Sequence, residues 1–468
     1  MAHGSPLPAN GLTAFAVLAG IALLGNGLKA VATSTVLVGE ARFAAFLGIP
    51  VERVALLMQT IVAGMVLALA VYPLLLRRHS VRAIALAACM AATAAFALLA
   101  AALLAQPPHA ARELAAYAGL TFGAAALACL APAAQALIVR WPAPAGRKVL
   151  TTLWTAATPA GFLAAPQLAK WFLPVAGLGA YFAVFAAMPV VLLALVVAAT
   201  AWPALRDDST RDAAMPVPLL VAFVAVVLAF EAWSTVGALQ GYMSPLSLAV
   251  LPVLAAAAAW LVRQWRFAGG LPGGKTGLVA ALFLLQLPTT GFFEASFLFA
   301  RGMPDSLVAD RATLAAAAQV VATLGAGLVV HHLPDARSRL PMLFAGITAA
   351  GVASYVAYPF VDGHAYFLAT AVVTGLGAGG LTLLLCMEVV NDAGRAALVA
   401  ALPAIAIMLG TEAGLELLQV AYAAAQGAGL AGTAPYGALF AMQAVLALAV
   451  LPAVACARAR AAQGSGGA

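Results

Sequence analysis

Glu412 and Glu416 stand four residues apart in an almost wholly apolar segment, which places both carboxylates on one face of any helix formed there. Two carboxylates so close cannot both ionise cheaply away from water, which gives the pair the chemistry of a proton carrier. Gly410 and Gly414 leave room beside them; the alternative is a structural pair satisfied by Gln419 or by backbone. Glu294 follows Phe292 and Phe293 in a segment that also holds Gln286 and Pro288. That mixture of acid, aromatic, amide and bent backbone suits a small-molecule cavity and makes Glu294 a third candidate for carrying a proton. Its alternative is a pairing with Arg301 near a membrane interface. Lys29 complements an acidic ligand or a distant glutamate, or else snorkels toward headgroups. Asn26, Gln59, Gln135, Trp154, Gln286, Phe293 and Gln319 complete the candidate cavity lining, with helix-to-helix hydrogen bonding as the competing role for the polar ones.

These residues stand out because so little else is charged. The chain has 468 residues, 65% hydrophobic and only 8% charged, far from the quarter expected of a soluble domain. Lipid is therefore the solvent, and runs of roughly 20 apolar residues read as membrane-spanning helices, whose backbone groups must be bonded internally. An ionisable side chain in such a run costs about 2.5–3.5 kcal/mol on insertion scales, so it faces a partner or a cavity. Glu231 also falls in such a run, but in one of two added helices, and is discounted for that reason.

The elements that position these residues are fourteen spans, near 12–38, 54–76, 81–105, 114–139, 149–173, 178–202, 216–239, 245–262, 276–300, 306–330, 341–361, 365–387, 397–425 and 435–457. They divide into a six-helix bundle over 1–202, a linker over 203–275 with two added helices and the charged stretch Arg206 to Asp212, a second six-helix bundle over 276–457, and a tail over 458–468. Most of the 23 basic residues fall in alternate loops, including Arg77, Arg78, Arg82, Arg140, Arg147, Lys148, Arg263, Arg266, Lys275, Arg337, Arg339, Arg395 and Arg458. By the positive-inside rule those loops, both termini and the tail are cytoplasmic. Arg42, Arg53, Arg112, Lys170, Arg301 and Arg311 then belong to outer loops and helix ends. The net charge of +7 is thus a matter of topology, and the scattered basic residues form no nucleic-acid stripe. A repeat runs between the bundles: Glu52-Arg53, Gln59 and the basic turn Arg77 to Arg82 return as Asp310-Arg311, Gln319 and Arg337-Ser338-Arg339. Paired bundles of this kind are used by transporters, with the ligand held near the midplane.

Cys89, Cys129, Cys386 and Cys456 lie in apolar runs without metal-ligand spacing and read as reduced packing residues. The first ten residues carry no Lys or Arg and the first apolar run is far longer than a signal peptide's core, so the first helix is expected to be retained. His331, His332 and Asp335 read as loop polarity. No P-loop, H-E-x-x-H or G-x-S-x-G sequence is present, which leaves ATP-driven transport and common hydrolytic chemistry unsupported.

From Leu120 to Ala169 the chain resembles the major facilitator superfamily, and within it the fourteen-helix drug:proton antiporter branch. The carriers are Gly123 to Pro132 with Ala136-Leu137-Ile138, the loop Trp141 to Arg147, and Gly161-Phe162-Leu163-Ala164-Ala165-Pro166, which is similar to the antiporter motif G-x-x-x-G-P with Ala165 for the second glycine. Tyr181 to Pro189 and the turn Asn391 to Ala396 add weaker likeness. The resemblance implies that Gly161, Ala165, Pro166 and Pro132, with Arg78 and Arg82 of the loop after the second helix, serve conformational change. That loop lacks the family's glycines and aspartate, Leu120 stands where an arginine is expected, and Lys29 aligns with the family's acid in helix one.

The expectation is an all-helical secondary transporter without cofactor or metal, exporting small amphiphilic compounds or drugs in exchange for protons, in a bacterial inner membrane. A periplasmic adaptor and an outer-membrane channel are candidate partners beside lipid, substrate and protons. The competing expectations are uptake or facilitated diffusion of an organic anion through Lys29, and a lipid-carrier flippase or non-transporting membrane partner.

Overall fold

Segments apolar on nearly every face can satisfy their backbone in lipid only by intrahelical hydrogen bonds, and in the computed structural model the described residues are helical with short turns between. Those residues are 11–38, 44–45, 47–48, 51–105, 107–202, 216–268, 275–289, 292–333, 338–391 and 397–465. The helices are α1 (Gly11–Val38), α2 (Val51–Arg78), α3 (Val81–Ala105), α4 (His109–Ile138), α5 (Pro144–Ala201), α6 (Val217–Gln240), α7 (Pro245–Phe267), α8 (Thr276–Gln286), α9 (Phe292–Ala300), α10 (Asp305–His332), α11 (Leu340–Ala353), α12 (His364–Asn391), α13 (Ala397–Gly427) and α14 (Ala434–Ser465). Among the described residues, twelve helices are long and apolar enough to cross a membrane.

Three places depart from simple rods, each for a local reason. α5 runs for 58 residues, about 87 Å at 1.5 Å per residue against a hydrocarbon layer of about 30 Å. It breaks at Gly177, whose φ of 72° and ψ of 174° suit a residue without Cβ. The span expected over 276–300 is two short helices instead: Leu287 keeps helical φ and ψ, but Pro288 has no N–H to donate to a helical carbonyl. α11 tightens after Ala353 into a 3₁₀ turn, Ser354–Phe360.

The chain forms two compact units, Met1–Ala214 with Val390–Leu402, and Met215–Val389 with Pro403–Ala468. In the first, α1 packs on α4 and α5, and α3 on α4 and α5. Lipid gives helices no hydrophobic reason to associate, so close backbone approach and dispersion hold them together. Thus a Cβ on Gly161 would sit 2.6 Å from the Gly27 carbonyl oxygen, and one on Gly25 3.0 Å from Ala134 Cβ. In the second unit α6 pairs with α7, and α14 packs on α8 and α11. α12 approaches α10 through Gly375 and Gly379, where a Cβ would lie 2.4 Å from the Ala315 and 2.5 Å from the Gln319 carbonyl oxygens. Gly410 and Gly414 of α13 likewise meet the Phe283 and Leu287 carbonyls, each at 2.4 Å from a Cβ. The room expected beside those glycines is therefore filled by the backbone of α8.

The stretch Arg206 to Asp212, the turn Asp392 to Ala396, and Arg42, Asp335 and Arg337 lie outside the described residues, as do the side chains of Glu52, Arg53, Gln59 and Lys170. His331 and His332 are exposed at the end of α10. The four cysteines form no disulfide; Cys456 is exposed and the others are buried.

Candidate functional site

Among the described residues the first unit buries one charged side chain, Lys29, and the second buries six: Glu231, Lys275, Glu294, Arg311, Glu412 and Glu416. The four carboxylates form two groups.

The first group joins α13 to α6 and α7. α6 ends at Gly241, whose φ of 90° turns the chain so that Tyr242 folds back over Gly237, where a Cβ would strike its ring at 2.3 Å. Trp233 packs edge-on against the same ring at 5.5 Å, and Ser244 caps α7 by accepting from the Ser247 amide. Tyr242 is thereby held with its hydroxyl donating to Glu416 Oε2 and lying against the Gln419 amide oxygen. Ser234 Oγ donates to Glu416 Oε1 at 2.7 Å. Glu416 thus has a donor on each oxygen. Glu412, one turn away, makes no hydrogen bond among the described residues, and the charges acting on it are Glu231 and Glu416. Glu231 Oε1 is enclosed without a partner. The pair expected from spacing is therefore a trio, and its third member, Glu231, comes from α6. Gln419 touches Tyr242, and it is Ser234 and Tyr242 that satisfy the carboxylate.

The second group surrounds Glu294, which is 1% exposed. Gln443 Nε2 of α14 donates to Glu294 Oε1 and to the Pro288 carbonyl, both at 3.2 Å, so the break between α8 and α9 supplies an acceptor and α14 fastens it. Glu294 Oε2 and Gln443 Oε1 are enclosed without partners. The expected pairing with Arg301 does not form. Arg301 is bound to Asp362 and donates to the Tyr358 and Val361 carbonyls at 3.1 and 2.8 Å. The cation that acts on Glu294 is Arg311, which is 4% exposed and lies within α10, not at the outer end expected for it. Its guanidinium faces the rings of Tyr355 and Tyr358 at 5.5 and 5.9 Å, and its Nε donates to the Tyr358 hydroxyl at 3.3 Å. A 3₁₀ turn has three residues per turn, so residues 355 and 358 fall on one edge and both rings reach the same cation. Thr374 and Thr370 bond the two phenols at 3.0 and 2.6 Å. Phe293, Phe297, Phe367 and Phe440 close the surroundings as an aromatic core.

The other candidates are dispersed. In the first unit Asn26 Nδ2 donates to the Trp154 carbonyl at 2.7 Å and Trp154 Nε1 to the Ala131 carbonyl at 3.0 Å, linking α1, α5 and α4. Both therefore serve helix association, although Asn26 Oδ1 and both polar atoms of Gln135 are enclosed without partners. Lys29 is 4% exposed; its carbonyl accepts from Thr33 Oγ1 at 3.1 Å, while its ammonium makes no hydrogen bond or ion pair among the described residues. Gly161, Ala165 and Pro132 are buried and Pro166 is half-buried. Arg78 and Arg82 are exposed at the ends of α2 and α3. Gln286 Nε2 reaches Thr382 Oγ1 at 3.5 Å, and half-buried Gln319 presents its backbone to Gly379.

No family model and no curated protein matches this chain. Solved structures do. A bacterial homologue of the iron transporter ferroportin, in an outward-facing state, is 15% identical with a TM-score of 0.65, covering 94% of this chain and 99% of that one. The human organic anion transporter MFSD10 is 14% identical with a TM-score of 0.64 and the same coverage. XylE, a proton:xylose symporter of the major facilitator superfamily, is 13% identical with a TM-score of 0.61, covering 93% of this chain and 95% of that one. At such identities the likeness is one of fold: the chain has the all-helical, multi-pass major-facilitator fold.

Proposed function

We propose that the chain is a secondary transporter of the major facilitator superfamily that moves a small organic solute in exchange for protons, with Glu412 and Glu231 as the proton-carrying pair. The carrying observation is the unequal treatment of three neighbouring acids. Ser234 and Tyr242 donate to both oxygens of Glu416, while Glu412 has no donor and lies beside Glu231 and Glu416. Three anions in so little space are costly in lipid, and a proton shared between Glu412 and Glu231 removes one of them. Glu416 is then the fixed member. Fourteen crossings follow if α5 counts twice about Gly177 and α8 with α9 counts once. That number and the G-x-x-x-G-P-like run at Gly161 support the drug:proton antiporter branch. The direction is export from a bacterial cytoplasm across the inner membrane, with both termini inside.

Purified protein in proteoliposomes with an imposed pH gradient tests this. Solute movement that follows the gradient in the wild type, and no longer follows it in Glu412→Gln or Glu231→Gln, is expected. Gradient-driven movement that survives both substitutions would overturn the assignment.

A second reading, carriage of an organic anion, draws on Lys29, a buried cation with no counter-charge among the described residues. It is also the cargo class named for the human transporter of the same fold. Loss of anion accumulation in Lys29→Ala with the proton dependence intact would favour it.

A further inference from the structure

Arg311 has more hydrogen-bonding capacity than its surroundings use. Its Nε is engaged by Tyr358, whereas Nη1 and Nη2 make no hydrogen bond among the described residues and are not among the fully enclosed atoms. Glu294 acts on it electrostatically without closing an ion pair. A guanidinium offers two parallel N–H donors in a plane, a geometry that matches a carboxylate. Around this fork stand Tyr355, Tyr358 and the wider aromatic core, which suit an aromatic body attached to that carboxylate.

Beside the fork, two enclosed oxygens, Glu294 Oε2 and Gln443 Oε1, both lack a donor. Gln443 Nε2 already gives one hydrogen to Glu294 Oε1. A proton on Oε2 would supply the reciprocal hydrogen, making the acid–amide pairing in which each partner gives one and takes one. An orphaned acceptor pair in a buried site is costly, and one proton answers both atoms.

We infer that Arg311 seats an aromatic carboxylate at its free Nη1 and Nη2, beside the packed rings of Tyr355 and Tyr358, and that Glu294, paired with Gln443, takes up one proton as that anion binds. The anion takes over the neutralisation of Arg311 that Glu294 had supplied. A proton from solution forms the O–H bond at Glu294 Oε2, so the site exchanges one anion for another without gaining net charge. The charged and titratable groups facing Glu294 are Arg311 of α10 and Tyr355 and Tyr358 of the 3₁₀ turn; the group from α14 is the neutral Gln443. Arg301 is occupied by Asp362 and the Tyr358 and Val361 carbonyls. The site lies within the second unit and, resting on the transporter reading, gives it a cargo class; the proton taken up at Glu294 accompanies the anion, apart from the protons exchanged at Glu412 and Glu231, and binding does not require the Glu412 group.

Benzoate is the probe, with benzamide and phenyl phosphate as comparisons, titrated into the full-length protein in detergent between about pH 6 and about pH 8, where benzoate remains ionised. The wild type is expected to bind benzoate in preference to both comparisons, with affinity rising as pH falls by up to about tenfold per unit and about one proton taken up per benzoate. A pH dye in weakly buffered solution reads that uptake. Glu294→Gln, which keeps the amide-like pairing with Gln443, is expected to bind benzoate as the wild type does at low pH, without pH dependence and without proton uptake. Arg311→Gln is expected to lose about tenfold or more of affinity, and Arg311→Lys to fall between, since a point charge lacks the fork. Thermal unfolding of each variant identifies misfolded protein, and Arg311→Lys with Glu294→Gln then carries the test. Absence of saturable benzoate binding to the wild type, equal binding of benzamide or phenyl phosphate, undiminished binding in folded Arg311 variants, or binding without proton uptake would each overturn the proposal. No gradient is imposed, so loss of coupled transport in Glu412→Gln with intact benzoate binding separates the failure of one reading from that of the other.

Discussion

The first unit buries one charge among its described residues, and the second buries four carboxylates, a lysine and an arginine. The first is held together chiefly by small residues: Gly25, Gly27 and Gly161 let α1 sit against α4 and α5, and its central polar groups, Asn26 and Trp154, bond to carbonyls across that seam. The second uses the same glycine contacts between α13 and α8 and between α12 and α10, but adds acids with unequal partners. Close helix packing is thus common to both regions, and among the described residues buried carboxylates are confined to one. Shared packing does not bring shared chemistry.

The largest test of that contrast sets Glu412→Gln against Lys29→Met in gradient-loaded vesicles. Glu412→Gln should reduce gradient-driven flux to that of empty vesicles, while Lys29→Met should leave the dependence on the gradient in place. Equal loss in both would abolish the distinction. Next in size is Tyr242→Phe, which removes a donor to a buried carboxylate and should cost about 1.5–3 kcal/mol, read as a lower melting temperature in detergent. Ser234→Ala should act in the same direction, and no change in either would mean that Glu416 is not held as described. Gly161→Ala and Gly414→Ala sharpen what the two regions share. Each forces a methyl group against a backbone carbonyl, at 2.6 and 2.4 Å, and each should cost about 1–3 kcal/mol if the contacts are equivalent. Asp362→Asn should be the smallest, under about 1 kcal/mol, because Asp362 is 83% exposed and Arg301 keeps two carbonyl acceptors.

Helices were legible in the sequence because runs of apolar residues admit no other backbone solution in lipid. The break at Gly177 fell between two expected spans, and Glu412 with Glu416 followed from a spacing of four. What one-dimensional spacing cannot give is which helix a face meets. Glu231 carries little weight in a sequence reading that counts its helix as an addition to two bundles, yet Ser234, one turn along that helix, bonds Glu416. Arg311 follows soon after the start of α10 and looked interfacial; its burial comes from rings more than forty residues away, on a 3₁₀ turn that apolar periodicity does not announce. A signal was present in Tyr355 and Tyr358, spaced by three where an α-helix would favour four for strict alignment, but only knowledge of the tighter turn makes it readable. Gln443 carried no signal beyond being an amide in an apolar run.

That short 3₁₀ segment is also a winding choice with angular consequences. At three residues per turn Tyr355 and Tyr358 share an azimuth; rewound at 3.6 residues per turn they would diverge by about 60°. One phenol would then swing off Arg311 while the other stayed, and the segment would shorten by about 3.5 Å. The tighter winding of the seven residues Ser354 to Phe360 thus fixes the angle at which two phenols address one buried cation, by backbone geometry alone.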